Sequence, residues 1–233
     1  MTRVDRAPAD AAVPVCAGAL VIEVRGVGLH LLPQRGVWLP AQRALLVADL
    51  HIGKAVSFRR WGVPVPEATT GETIEALSDA VRATGADRVV FLGDFLHSAR
   101  AHAAATLQAV QAWRERHSSL GLTLVRGNHD DRAGDPPSSL RIEVVDEPLA
   151  LGGWLLAHHP TPRDGAYVLA GHLHPCVQVG GRAHDRLRLP CFHFSADVGV
   201  LPAFGAFTGM HATRALSGDR LFAVAQGRVR PVP

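Results

Sequence analysis

Five short, mostly apolar runs in this chain each stop at a polar cluster, and that recurrence limits the folds open to it. Ala44-Leu45-Leu46-Val47-Ala48 ends in Asp49-Leu50-His51, and Val89-Val90-Phe91-Leu92 ends in Gly93-Asp94. Leu122 to Val125 gives way to Arg126-Gly127-Asn128-His129-Asp130. Trp154-Leu155-Leu156-Ala157 runs into His158-His159, and Val168-Leu169-Ala170 into Gly171-His172-Leu173-His174. Continuous apolar runs of this length suit strands covered on both faces. Their exits are poor core material. In α/β sheets, sites gather beyond the carboxyl ends of strands, so these five exits can converge on one centre.

The segments between them support such a sheet. Residues 67–84 read as an amphipathic helix with Ile74, Leu77 and Val81 on one face, and residues 101–118 as another with Leu107, Val110 and Trp113. Helix–strand alternation predicts parallel crossovers. Upstream, 20–25, 28–32 and 36–39 read as a meander of short strands. Residues 54–66, closed by Pro64 and Pro66, read as a loop. Beyond Asp135-Pro136-Pro137 come short strands at 140–145, 154–157, 166–170, 176–179, 187–194 and 220–225, with a shaped loop at Gly199–Gly209. Residues 1–17 are rich in Ala, Pro and Asp and are expected to form a flexible tail. Without linker or internal repeat, 18–233 reads as one domain.

Composition excludes several classes. With 47% apolar residues in 233, the chain can bury a substantial core and is not a disordered protein. A net charge of +3 permits an anionic partner without specifying one. Lys54 is the sole lysine beside 23 arginines, a skew that GC-rich coding also produces. Cys16, Cys176 and Cys191 form no CxxC pair, which favours a reducing compartment. No run approaches the roughly 18 apolar residues of a membrane span. Ala11 to Ile22 imitates a signal-peptide core, but Asp5 and Asp10 stand where a positive flank belongs. The expectation is a cytoplasmic protein without a membrane partner.

Setting His129 aside, the strand exits offer two carboxylates, one amide and four imidazoles. That is too many for one closed tetrahedral zinc site, and no thiolate set is present. Mixed nitrogen and oxygen donors suit two divalent ions such as manganese, iron or zinc. A carboxylate can bridge such a pair at about 3.5–4 Å, the separation used in two-metal phosphoryl transfer.

Asp-x-His, Gly-Asp, Gly-Asn-His-Asp, His and Gly-His-x-His, in this order over residues 44–175, resemble the calcineurin-like binuclear metallophosphoesterase superfamily. More narrowly, Asp49-Leu50-His51-Ile52-Gly53-Lys54-Ala55, Phe58-Arg59-Arg60, Gly62-Val63-Pro64-Val65-Pro66 and Leu201–Gly209 resemble the ligase-associated DNA damage response endonuclease (PdeM) family. The resemblance implies an α/β fold, a four-layer α-β-β-α sandwich around two mixed β-sheets. It implies that Asp49, His51 and His174 hold one metal and Asn128, His158 and His172 the other, with Asp94 bridging. His159 stands where the superfamily commonly has glycine, so either histidine of that pair can be the ligand. His129 would lie over the scissile phosphate as leaving-group acid, with Asp130 setting its tautomer and a metal-bridging hydroxide as nucleophile. His97 replaces a common Asp and would touch substrate or line the rim.

The implied activity is a manganese-dependent endonuclease, chiefly on single-stranded DNA, working in DNA repair beside a helicase, ligase or exonuclease. Lys54, Arg59 and Arg60 adjoin the first metal motif and can steer a phosphate backbone, and Trp61 can stack a base. A solvated basic loop with a packed indole reads the same residues equally well. The metal motifs also fit a phosphatase or nucleotide phosphohydrolase acting on small molecules, and a metal-binding repair scaffold without turnover. Asp197 reads as structural, Cys176 as a buried thiol, and Phe204 and Phe207 as core or homodimer-interface residues.

Overall fold

A computed structural model describes residues 16–60, 62, 69–180 and 186–233, apart from the side chains of Arg60, Arg100 and His102. Residues 1–15, Trp61, Pro64 and Pro66 lie outside the described residues, and with them most of the expected tail.

The meander and the crossovers share one sheet. The strands β1 (Leu20–Val24), β2 (Val27–Leu31), β3 (Val37–Leu39) and β4 (Ala44–Val47) pair antiparallel, each with the next. From β4 the sheet continues in parallel through β5 (Arg88–Leu92), β6 (Gly121–Val125) and β7 (Glu143–Val145). The crossovers carry α1 (Lys54–Arg60) and α2 (Thr69–Thr84), then α3 (Ala104–Arg116), then the short α4 (Asn128–Ala133).

A second mixed sheet holds β8 (Leu149–Leu151), β9 (Trp154–Leu156), β10 (Tyr167–Ala170), β11 (Pro175–Gly180), β12 (Arg186–Phe194), β13 (Val198–Val200), β14 (His211–Ala212), β15 (Arg220–Ala225) and β16 (Arg228–Pro231). Its centre is parallel, with β10 between β9 and β13.

The apolar runs are continuous because both strand faces are covered. In β4, Ala44 and Leu46 meet the second sheet in a cluster with Leu156, Leu169, Phe192 and Phe194. Leu45 and Val47 point the other way, into a cluster with Ile74, Leu77 and Val81 of α2 and Val110 and Trp113 of α3. In β5, Val90 and Leu92 face the second sheet while Val89 and Phe91 face the helices. Leu107, expected on the buried face of α3, is only half-buried.

The two mixed sheets of the expected sandwich are present, with helices on one side. The α-helices among the described residues all precede β7. Two mixed sheets flanked by few helices agree with the expected α/β sandwich.

Other local expectations also change. Residues 54–60 form a helix where a loop was expected, with Ala55 and Ser57 buried. The helix expected at 101–118 divides into a 3-10 turn, Ala99–His102, and α3. The segment 140–145 contributes only β7, because Ser138–Leu140 is a 3-10 turn. Short strands β8, β13, β14 and β16 were not anticipated, and β13 takes the start of the 199–209 loop. Strands this short lack the periodicity that a pattern argument needs. No helix among the described residues is long and apolar enough to cross a membrane.

Phe91 is fully buried in the helix-facing cluster. Phe91→Ala should lower the free energy of unfolding by about 3–5 kcal/mol in a urea titration. A loss below about 1 kcal/mol would place this side chain outside the packed core.

Candidate metal centre

The strand exits remain joined after the regular ladder ends. Beyond β4 and β5, the amides of Asp49, His51 and Ile52 donate to the carbonyls of Gly93, Asp94 and Phe95, and that of His97 returns to Ile52. Across the second sheet, the Gly171 amide donates to His158 O at 3.1 Å. Five residues at these exits hold left-handed backbones: Asp49 (φ 54°), His51 (47°), Asp94 (51°), His172 (71°) and His174 (46°). This region is costly for residues other than glycine and tends to occur where surrounding structure enforces it for function.

The enforcement brings donors from both sheets together. The Asp49 carboxylate is fully buried, and its Oδ2 accepts the His172 amide at 2.9 Å. Its Oδ1 lies 3.4 Å from His174 Nε2. Asp94 spans the centre: Oδ1 accepts the His129 amide at 2.9 Å and lies 3.5 Å from His158 Nε2, while Oδ2 is 3.6 Å from His51 Nε2. Asn128 Oδ1 and His172 Nδ1 each approach His158 Nε2 at 3.0 Å.

Backbone carbonyls select the ring nitrogens that face inward. His158 Nδ1 donates to Leu92 O at 3.1 Å and His174 Nδ1 to Gly209 O at 3.1 Å, so a neutral ring presents its Nε2 lone pair to the centre. His51 Nε2 faces His174 Nε2 at 3.3 Å. Burial holds the His51 pKa far below the ordinary histidine value, with Lys54 and the neighbouring histidines adding to the effect. Burial also lowers that of His172, helped by His158 and His159.

Lone pairs that face one another need a cation or a proton between them. Asp49 Oδ1, buried without a hydrogen-bond partner, makes the same demand. Among the described residues, four groups of donors have ligand atoms close enough to share an ion, including Asp49/His51/His174, Asp49/Asp94/His158 and His158/His159/His172. The donor set fits divalent metal ions, and Asp94 lies between the two ends of the cluster. At the ambiguous pair, His158 is fully buried with Nε2 inward, whereas His159 Nδ1 is held by Glu147 Oε1 at 2.7 Å. Glu147 also accepts the His158 and His159 amides, at 2.7 and 2.9 Å. Nothing in the local sequence pattern marked this carboxylate.

The His129 tautomer is set differently from the expectation. Its Nδ1 donates to the carbonyl of His97 at 2.8 Å, leaving Nε2 turned toward the centre, 4.0 Å from Asp94 Oδ2. Asp130, the expected orienter, is fully buried and accepts the Leu96 amide at 3.1 Å and the Gly127 amide at 3.0 Å. It caps α4 and ties that turn to the β5 exit, because helical geometry directs a third-position carboxylate back to its own cap. Burial pushes its pKa up to about 6, against the hydrogen bonds from Gly127 and Leu96. The His97 ring stacks on His129 with centroids 5.0 Å apart and approaches His51, Nδ1 to Nδ1, at 3.4 Å. Burial, with Lys54 and His129, pushes the His97 pKa down to about 4.

Lys54 opens α1, with its ammonium 5.9 Å from the Phe58 ring centroid. Burial lowers its pKa, while Asp94 and Asp49 pull it up, which places its charge in the field of the centre. Arg59 is partly buried in the same helix, and the Arg60 side chain lies outside the described residues. The 199–209 loop borders the centre: Phe204 and Gly205 donate to Ala48 O and Asp49 O, and Gly209 O holds His174. Phe204 is core, and Phe207 packs edge-on against Phe58 at 5.4 Å. Cys176 is a buried free thiol, and Asp197 pairs with Arg25 at 2.8 Å.

The calcineurin-like phosphoesterase family model matches residues 42–172, the span that supplies all but one of these donors. The chain belongs to the calcineurin-like phosphoesterase family. It is accordingly a metal-dependent phosphoesterase, and the strand-end clusters are its candidate metal sites. This calcineurin-like phosphoesterase is also similar to the nuclease MPE of Pseudomonas putida in its crystal structure. The two share 45% identity with a TM-score of 0.81, over 92% of this chain and all of that one. Yfce, a phosphoesterase from E. coli, aligns at 13% identity and a TM-score of 0.38 over 78% of this chain and 88% of that one, too slight a likeness to carry an argument. No curated protein sequence matched significantly.

Gly127 owes its place to proximity, since its φ is an extended −110°. A Cβ there would sit 2.5 Å from Asp94 Oδ1 and 2.6 Å from Asp94 N. Gly127→Ala should displace Asp94, lower metal content on elemental analysis and cut phosphodiester hydrolysis about 10²-fold, the scale of a roughly 1 Å misplacement. Full metal content with full activity would show that this contact is not limiting.

Proposed function

We propose that this phosphoesterase is a nuclease cleaving single-stranded DNA, with two divalent ions, foremost manganese, at the strand-end centre. The observation that carries the reading is 45% identity to a nuclease over 92% of the chain. Asp49, His51 and His174 would hold one ion and Asn128, His158 and His172 the other, with Asp94 within reach of both donor groups. The bound ions supply an activated water and neutralise charge growing on the phosphoryl oxygens.

The chain's own groups do the rest. Asn128 turns Oδ1 toward His158, which leaves its amide hydrogens for a phosphoryl oxygen. His129, fixed by the His97 carbonyl, presents Nε2 to the centre and, when doubly protonated, would pass a proton from it to the leaving alkoxide. Asp130 is a positioning residue that keeps the Asn128–His129 turn against the β5 exit. Lys54 adds positive charge for an incoming phosphate, and Arg59, Arg60 and His97 complete the substrate-facing group. The same reading places the activity in cytoplasmic DNA repair, beside a helicase, ligase or exonuclease.

A manganese-dependent assay on single- and double-stranded DNA tests this reading, with bis(p-nitrophenyl) phosphate alongside. Single strands should be cut faster, chelation should stop the reaction, and Asp94→Ala should abolish it. His129→Ala should keep both ions and lose about 10²–10⁴-fold in rate. Hydrolysis of the small diester without DNA cleavage would replace the nuclease with a small-molecule phosphodiesterase. Metal loss in His129→Ala would remove that residue from the acid role.

A further inference from the structure

Beside the metal centre, a small pocket contains Arg35, a cation that has no carboxylate partner among the described residues. The hairpin loop between β2 and β3 is closed by hydrogen bonds between Leu32 and Gly36 and from Arg35 to Leu32, with Arg35 at φ 69°. This turn sends the Arg35 side chain under the 199–209 loop, where Nη1 donates to Gly205 O at 3.4 Å. Among the described residues, no carboxylate lies within ion-pair distance of it. An arginine offers five N–H donors and stays charged, so one that gives a single carbonyl contact among the described residues keeps donors for an anion in the pocket. Burial lowers its pKa, consistent with a guanidinium removed from water and lacking an acidic neighbour.

The space in front of Arg35 measures about 110 Å³ and is lined also by His174, Thr208, Met210, Ala203 and Pro190. That is well above the ~10–15 Å³ needed for one water, and small beside the 480 Å³ cleft across His172 and Leu173. A tetrahedral oxyanion suits it, and the planar guanidinium fork matches phosphate in a bidentate manner. His174 forms a wall of this pocket and also points Nε2 at Asp49. An anion seated here therefore lies one side chain away from the phosphate being cleaved.

We infer that Arg35 seats a phosphate of the nucleotide chain adjacent to the scissile one, making this pocket a binding subsite for a polyphosphodiester. The inference rests on the nuclease reading above and gives it a specificity residue. Every DNA linkage brings such a neighbour, and a substrate with one phosphate does not.

The test compares manganese-loaded wild-type, Arg35→Gln and Arg35→Lys proteins, each checked by circular dichroism. The Gln amide can still donate to Gly205 O while removing the charge. Substrates are a short single-stranded oligonucleotide, the same oligonucleotide with neutral methylphosphonates flanking one cleavable linkage, and bis(p-nitrophenyl) phosphate. For wild type, the neutral flanks should raise KM about tenfold, the scale of a lost charged hydrogen bond. Arg35→Gln should lose about the same factor on the native oligonucleotide relative to the small diester, become indifferent to the neutral flanks, and show a salt slope shallower by about 0.7. Arg35→Lys should fall between them.

Equal losses on all three substrates, or a wild type indifferent to the neutral flanks, would overturn the inference and leave the nuclease reading standing. The second comparison uses only wild-type protein, so it decides even if Arg35→Gln does not fold. A wild type that hydrolyses the small diester and never DNA removes both readings together.

Discussion

The fold depends on how two buried carboxylates, Asp49 and Asp94, are kept in the interior. Removing a carboxylate from water costs several kcal/mol unless charge or hydrogen bonds offset it. Each accepts a backbone amide, from His172 and His129 respectively. Burial keeps His51 neutral, and Lys54 is the nearby side-chain cation whose charge reaches both. Divalent ions are the counter-charge that the donor set fits. The two sheets can therefore meet closely at their carboxyl ends although their polar exits repel water-free packing.

Holding those exits in place strains the chain. Five of the ten non-glycine residues with left-handed φ among the described residues are candidate ligands. At about 1–3 kcal/mol each, the total rivals the whole net stability of an ordinary domain. Two large apolar clusters oppose it, one between the sheets and one beneath the helices. The apolar runs and the metal motifs are parts of one design: alternate side chains of β4 and β5 anchor both faces so that the next residue can take an unfavourable turn.

Much of this was legible because strand and exit lie side by side in sequence. Asp49, His51, Asp94, Asn128, His158, His172 and His174 were marked by polar residues abruptly following apolar ones, and the structure gathers all seven. Features fixed by distant neighbours were not legible. The α1 helix, Lys54–Arg60, has only seven residues, and it buries Ala55 and Ser57, with Ser57 Oγ meeting Ser98 Oγ at 3.1 Å. The α4 helix is wholly polar at its start and is defined by the Asp130 cap. The tautomer of His129 depends on a carbonyl 32 residues away, and nothing in the Asn-His-Asp triplet points there. Glu147 and Arg35 stand in unremarkable stretches and acquire meaning only from what folds over them.

The division of donors between the sheets has a consequence for biosynthesis. Asp49, His51, Asp94 and Asn128 belong to the first sheet, and His158, His172 and His174 to the second. Chains emerge from the ribosome amino end first and fold largely in that order. The first sheet can pair and pack against its helices while the second is still being made, yet it then presents only four of the seven clustered donors. Completion of the candidate metal centre thus belongs to the last stage of maturation, which keeps a phosphoesterase centre silent on the nascent chain.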